Sequence, residues 1–211
     1  MRALVFSAFL LTAAATAAHA ATADHGNIVV NGKAVTHSGQ DSDPVASPDG
    51  KRIAFIRNTG KQLNCQANGA ESDNVELWTV NADGTGARKL LSVKSDNDMK
   101  KTVCGFQSMQ FSSTGGLLYF ETPAWATSGA VHVYDFGAGK EHFVVDGDDV
   151  QVLAKCAEPD FRDKLIVTQH KYFVFGGSYD WPWLISPQGK TLGLIGGDDV
   201  DLNAVVKDAC T

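Results

Sequence analysis

The stretch DSDPVASPDGKRIAFIRNTG (residues 41–60), continued after a polar loop by VELWTVNADGTGARKLLS (residues 75–92), has the composition of a small antiparallel sheet. Pro48-Asp49-Gly50 and Asn81-Ala82-Asp83-Gly84 supply turn chemistry, because Gly and Asp accept backbone angles that other side chains resist. Between these turns run Arg52–Ile56, Val75–Val80 and Ala87–Leu91, alternating or β-branched segments of strand length. With Asp43–Ala46 in front they make four short strands joined in sequence.

The unit recurs in worn form. Met109–Phe120 aligns with Val45–Phe55, with Ser-Ser-Thr-Gly (112–115) replacing Ser-Pro-Asp-Gly (47–50). Val131–Asp135 and His142–Val145 fill its outer strands around the turn Phe136–Gly139. A third copy starts near Val150, with Lys164–His170, Tyr179–Ser186 and Thr191–Ile195 as later strands and Pro187–Lys190 as a turn. Four-stranded units repeated every few tens of residues are the mark of a propeller. Gly147-Asp148-Asp149-Val150 also returns as Gly197-Asp198-Asp199-Val200, each followed by a cysteine. Two readings of the C terminus follow. Val200 onward is the first strand of a fourth unit, or Leu202, Val205, Val206 and Ala209 form one face of a short helix. At the other end, Ile28–Val35 reads as a hairpin around Asn31-Gly32.

Residues 47–55 and 77–91 together resemble the blade motif of TolB-like propellers, a group related to WD repeats, and the match is best over residues 41–92. The resemblance implies an all-β chain, a small or partial β-propeller of about three four-stranded blades at 41–92, 105–146 and 150–196. All would lie in one domain over 21–211, with a fourth blade assembled from the two termini if the strand reading of Val200 holds. In that family the Ser-Pro-Asp-Gly turn joins the inner two strands and Asn-Ala-Asp-Gly the outer two. The family's partners use a larger propeller and an additional domain, so no specific partner is implied.

The first 20 residues, MRALVFSAFLLTAAATAAHA, read as a signal peptide: Arg2, a short apolar run, then Ala18-His19-Ala20 as the cleavage site. The chain is expected in the periplasm or outside the cell. No stretch is long and apolar enough to span a bilayer. The net charge of −6 argues against nucleic acid or an anionic membrane as the main partner. Four cysteines, Cys65, Cys104, Cys156 and Cys210, fit two disulfides in an oxidising compartment, and sequence order leaves all three pairings open. The blade arrangement implied by the resemblance puts Cys65 and Cys104 on one face, leaving Cys156 with Cys210.

FGGSYDWPW, residues 175–183, is similar to a hydrolase nucleophile elbow. Asp180 stands where the second glycine belongs, however, and no histidine follows His170. Ser178 is therefore read as loop and strand, and no catalytic residue is assigned. The acidic groups Asp41/Asp43, Asp96/Asp98, Asp146/Asp148/Asp149 and Asp198/Asp199/Asp201 lack the spacing of a calcium loop and read as solvated turns. His132 and His142, on neighbouring strands, could form a surface pair. No cofactor or metal is expected. Trp125, Tyr179 and Trp181 are the candidate ligand-binding residues, since loop-borne Trp and Tyr combine apolar area with a polar handle. Trp183 and Phe173 are assigned to packing between blades.

These features point to a non-enzymatic exported module that contacts a protein, a peptide or another envelope component through its loop face. A cation-dependent lyase or hydrolase using Asp148 and Asp198, or a secreted inhibitor of a hydrolase, is the alternative. The residues leave the oligomeric state open.

Overall fold

The computed structural model describes residues 20–65 and 71–210. Apart from Ala20, the expected signal peptide lies outside the described residues. The described residues are all-β apart from one C-terminal α-helix and a single 3-10 turn at Met99–Lys101, and the sheets stack side by side as a partial β-propeller.

Blade one contains β4 (Asp41–Ala46), β5 (Arg52–Asn64), β6 (Glu71–Asn81) and β7 (Arg88–Ser92), paired in that order and antiparallel throughout. The Ser-Pro-Asp-Gly turn joins the inner two strands. Gly50 N–H bonds the Ser47 carbonyl at 2.8 Å, and Ser47 Oγ accepts from Arg52 N–H at 3.0 Å. Blade two contains β8 (Gln107–Phe111), β9 (Leu117–Trp125), β10 (Ser128–Asp135) and β11 (Lys140–Asp146). Its worn turn keeps the same bonds, with Gly115 N–H on the Ser112 carbonyl at 2.9 Å and Leu117 N–H on Ser112 Oγ at 3.1 Å. Serine at the first position is what the turn needs, and that is why the motif survives the loss of proline and aspartate. Blade three contains β12 (Asp148–Val152), β13 (Leu165–Tyr172), β14 (Ser178–Ile185) and β15 (Thr191–Leu194).

One backbone feature repeats in all three blades. Each innermost strand carries a bulge, and a non-glycine residue there is left-handed: Asp43 at φ 50°, Ser108 at φ 50° and Asp149 at φ 53°. A bulge bends its strand and increases local twist.

The apolar residues fill the spaces between sheets. Ala54 and Leu77 of blade one meet Phe106, Phe111, Leu118 and Phe120. On the other face of blade two, Tyr119, Val131 and Val133 meet Val150, Leu165, Val167 and Ile185 of blade three. Leu118, Tyr119 and Phe120 are all buried, so β9 is apolar on both faces and shows no alternation. Polar stitches reinforce the same joints. Arg52 Nη1 donates to the Gly115 carbonyl at 3.1 Å and the guanidinium Cζ lies 4.0 Å from the Phe136 ring centroid, while Ser113 N–H and Oγ both bond Asp163.

The two ends of the stack are covered differently from the composite-blade reading. The N-terminal strands β1 (Ala21–Asp24), β2 (Asn27–Val30) and β3 (Lys33–Ala34) pair with each other as a three-stranded sheet. Ile28 and Val30 pack on Ile53, Phe55 and Val80 of blade one. At the C terminus the helix reading is the one observed: α1 spans Leu202–Cys210. The residue types explain it. Asp201 accepts from Ala204 N–H at 3.1 Å and caps the first turn. Leu202, Val206 and Cys210, spaced by four, form the face that meets Leu153, Cys156 and Ile166. Val205, expected on that face, is 41 % exposed. The termini therefore build two separate covers and no shared fourth blade.

Disulfides join Cys65 to Cys104, with Cα atoms 5.8 Å apart, and Cys156 to Cys210, with Cα atoms 4.5 Å apart. The first ties blade one to the link before blade two, and the second clamps α1 onto blade three. No cysteine is free, which fits an oxidising compartment. Among the described residues no helix is long and apolar enough to cross a membrane.

Candidate functional site

The innermost strands of the three blades and α1 surround a common cleft of about 790 Å³. Val45, Ala46 and Pro48 come from the β4 side, Gln110 and Phe111 from β8, Val152 and Leu153 from β12 and the loop after it, and Val206 with Cys210 from α1. The wall is mainly apolar, with Lys155 and Lys207 at its rim. One of the strand edges here is already occupied. Gln110 Nε2 donates to the Val150 carbonyl at 2.6 Å, and Gln110 Oε1 accepts from Val152 N–H at 2.9 Å. Its side-chain amide thus imitates a neighbouring strand for β12. β4 is the edge strand of its own sheet and contributes Val45 and Ala46 to the wall.

A second, smaller pocket of about 390 Å³ opens beside the β9–β10 loop, lined by Trp125, Gln107, Glu121, Ser128 and Asp148. Trp125 is half-buried and meets Phe143 edge-on at 6.3 Å. Glu121 is buried and accepts from Val150 N–H and from Ser108 Oγ. Burial pushes its carboxyl above the usual carboxylate range, and nearby Asp149 and Asp148 add to the effect.

Tyr179 and Trp181 lie elsewhere, on β14, with ring centroids 4.2 Å apart. Phe173 completes this cluster, 4.7 Å from Tyr179 and 5.9 Å from Trp181. Phe173 is 48 % exposed, so it belongs to the hairpin surface and does not pack between blades as the sequence suggested. The reason is the register: Tyr172 pairs with Ser178, which leaves residues 173–177 as the tip beyond the ladder. Trp183 does pack against the core between blades two and three.

The histidines also depart from expectation. His132 is fully buried, stacked near Phe120, with its Nδ1 2.5 Å from Glu141 Oε1. His142 is exposed and pairs across from Val133, so the two do not form a surface pair. Burial works against the Glu141 charge. The hydrogen bonds from His132 and from Lys94, the latter at 2.9 Å, win and hold its carboxyl below the usual range. This set braces the link between blades one and two.

The acidic groups are each engaged locally. Asp148 accepts from Gly129 N–H at 2.9 Å, and Asp198 accepts from Trp181 Nε1 at 3.0 Å. Among the described residues no group of three or more His, Cys, Asp or Glu side chains is placed to hold a metal ion. Ser178 opens β14, and His170, on the facing strand, bonds Asp180 at 2.7 Å.

No family model matches the chain, and no curated protein matches it in sequence. Solved structures do. Dipeptidyl peptidase 4 of Porphyromonas gingivalis superposes with a TM-score of 0.59 at 11 % identity, over 86 % of this chain and 31 % of that one. The β-propeller domain of the Trilobed protease from Pyrococcus furiosus follows with 0.48 at 15 % identity, over 81 % and 44 %. TolB from Acinetobacter baumannii gives 0.39 at 14 % identity, over 83 % and 49 %. The chain spans less than half the length of each of these structures. At these identities the likeness shows the fold alone, and it agrees with the side-by-side four-stranded sheets of a partial β-propeller.

Proposed function

We propose that the chain is an exported, non-enzymatic binding module that receives an extended apolar segment of an envelope protein or peptide in its axial cleft. The observation that carries this reading is the apolar wall shared by three innermost strands and a helix clamped by Cys156–Cys210. A cleft of this size with a strand edge on one side suits β-strand addition, in which main-chain bonds supply affinity and alternate side chains enter the apolar wall. β12 has its edge partly filled by Gln110. On β4 the Asp41 N–H already bonds the Gly26 carbonyl at 2.8 Å, and Pro44 has no N–H. The Val45–Ala46 end, which lines the cleft, is therefore the edge that a ligand strand can extend. The Asn-Ala-Asp-Gly and Ser-Pro-Asp-Gly turns support a TolB-like origin for the scaffold.

Selection of linear peptides on phage against the oxidised chain tests the proposal. Extended, apolar-rich sequences should be enriched, and Leu153→Lys should weaken them by about tenfold or more by placing a charge in the apolar wall. Enrichment of peptides that bind Leu153→Lys equally well would remove the cleft as the site.

One observation favours a second reading, a hydrolase or lyase: Glu121, held above the usual carboxylate range, lines a pocket beside Trp125. That reading requires a turnover that Glu121→Gln abolishes, whereas the binding reading requires none.

A further inference from the structure

The β13–β14 hairpin ends in eight consecutive residues without a charge, Tyr172-Phe173-Val174-Phe175-Gly176-Gly177-Ser178-Tyr179. Its tip is fully presented to solvent: Val174 is 93 % exposed, Phe175 103 % and Tyr172 71 %. The turn is tight and built, since Gly176 and Gly177 take φ of 102° and 85°, and Phe173 bonds both of them through its backbone. Large apolar side chains exposed together on one protruding tip need an occupant.

The order of chemistry along the hairpin identifies it. Val174 and Phe175 come first, purely apolar. Tyr172, Phe173, Tyr179 and Trp181 follow, and three of these four carry a polar handle. Lys171, level with Tyr179, and the His170–Asp180 pair, on the rung between Tyr179 and Trp181, stand within this band. The ladder registers Trp181 opposite Gln169, three residues behind the last pair, so the aromatic band is about 10 Å deep at the usual strand rise. A purely apolar tip followed by a band that mixes amphipathic aromatics with charge matches a bilayer's hydrocarbon and its headgroup layer, and interfacial elements sink about 5–10 Å. The chain's net charge of −6 selects neutral phospholipid over anionic.

We infer that the hairpin tip inserts into the interface of a neutral phospholipid bilayer, with Val174 and Phe175 as the inserted groups and the Tyr172/Phe173/Tyr179/Trp181 cluster at headgroup depth. The inference is independent of what the axial cleft holds.

Flotation of the oxidised full chain with phosphatidylcholine–phosphatidylethanolamine vesicles tests it. The wild type should float with the vesicles, and Val174→Ser/Phe175→Ser should bind about tenfold or more weakly with unchanged circular dichroism. Phe175→Trp should keep or strengthen flotation, because the interface favours tryptophan. Both chains then share the same N terminus, so any difference belongs to the tip. Equal flotation of wild type and double variant, no flotation of the wild type, or loss of flotation in Phe175→Trp would each overturn the inference.

Discussion

Gln110 on blade two and Val150 on blade three are joined by a 2.6 Å hydrogen bond from a side-chain amide to a backbone carbonyl, and the same amide takes Val152 N–H at 2.9 Å. This one side chain serves as a strand neighbour at the centre of the molecule. Gln110→Leu leaves two strand-edge groups without partners inside the cleft wall. It should cost about 2 kcal/mol in urea denaturation, twice what a single unmade hydrogen bond costs. A change under about 0.5 kcal/mol would show that water replaces the amide without penalty.

The Cys156–Cys210 bridge closes a sequence separation of 54 residues and holds a nine-residue helix with no buried residue of its own. A helix this short is marginal alone. Cys156→Ser/Cys210→Ser should lower stability by about 2–4 kcal/mol and release α1, which protease cleavage within Leu202–Cys210 would report. An uncut helix in that variant would mean that Leu202 and Val206 suffice.

Asp41 and Arg57 form a bidentate pair at 2.6 and 2.9 Å beneath Trp78, with the Asp41 side chain fully buried. Burial opposes the Asp41 charge, but hydrogen bonds from Arg57, Thr36 and Ser38 prevail and hold the carboxyl below its usual range. A lowered folded value means stability that is present above the ordinary carboxyl range and lost as pH falls through the folded value. Asp41→Asn should therefore cost about 2–3 kcal/mol at pH 7, and the difference from wild type should shrink below about pH 4. A cost independent of pH would point to packing instead of charge.

Glu121 titrates in the opposite sense. Its folded value is raised, so ionisation works against the fold, and stability declines as pH climbs from the ordinary carboxyl range through the raised value. Glu121→Gln keeps an oxygen for Val150 N–H and cannot ionise. It should be at least as stable as wild type at pH 7, with the advantage gone near pH 4, as thermal melts at the two pH values would show. A less stable variant at pH 7 would make the Glu121 charge itself the structural element.

Much of the scaffold was legible because turn chemistry is local. Ser47-Pro48-Asp49-Gly50 and its worn counterpart at Ser112–Gly115 share the serine that makes the turn, so strand order followed from short motifs. The innermost bulges were not legible, because Asp43, Ser108 and Asp149 share a backbone angle and no common residue type. β1 was missed for a related reason: Ala21–Asp24 has one half-buried residue and three exposed ones, and only its pairing with β2 makes it a strand. The C-terminal segment is short enough for either period to fit, and the Asp201 cap with the Cys210 bridge decides for helix. The cleft depends on side chains from four elements far apart in sequence, a grouping that no local pattern encodes. The aromatic candidates were visible as residue types, but the separation of Trp125 from Tyr179 and Trp181 needed the fold.

The proposal that an extended segment occupies the axial cleft is tested most directly by backbone amide hydrogen exchange with and without a phage-selected peptide. The account predicts slowed exchange in β4 at Val45 and Ala46, with little change at the Tyr172–Tyr179 tip. Protection confined to the tip or to the Trp125 loop, with β4 unaffected, would contradict it.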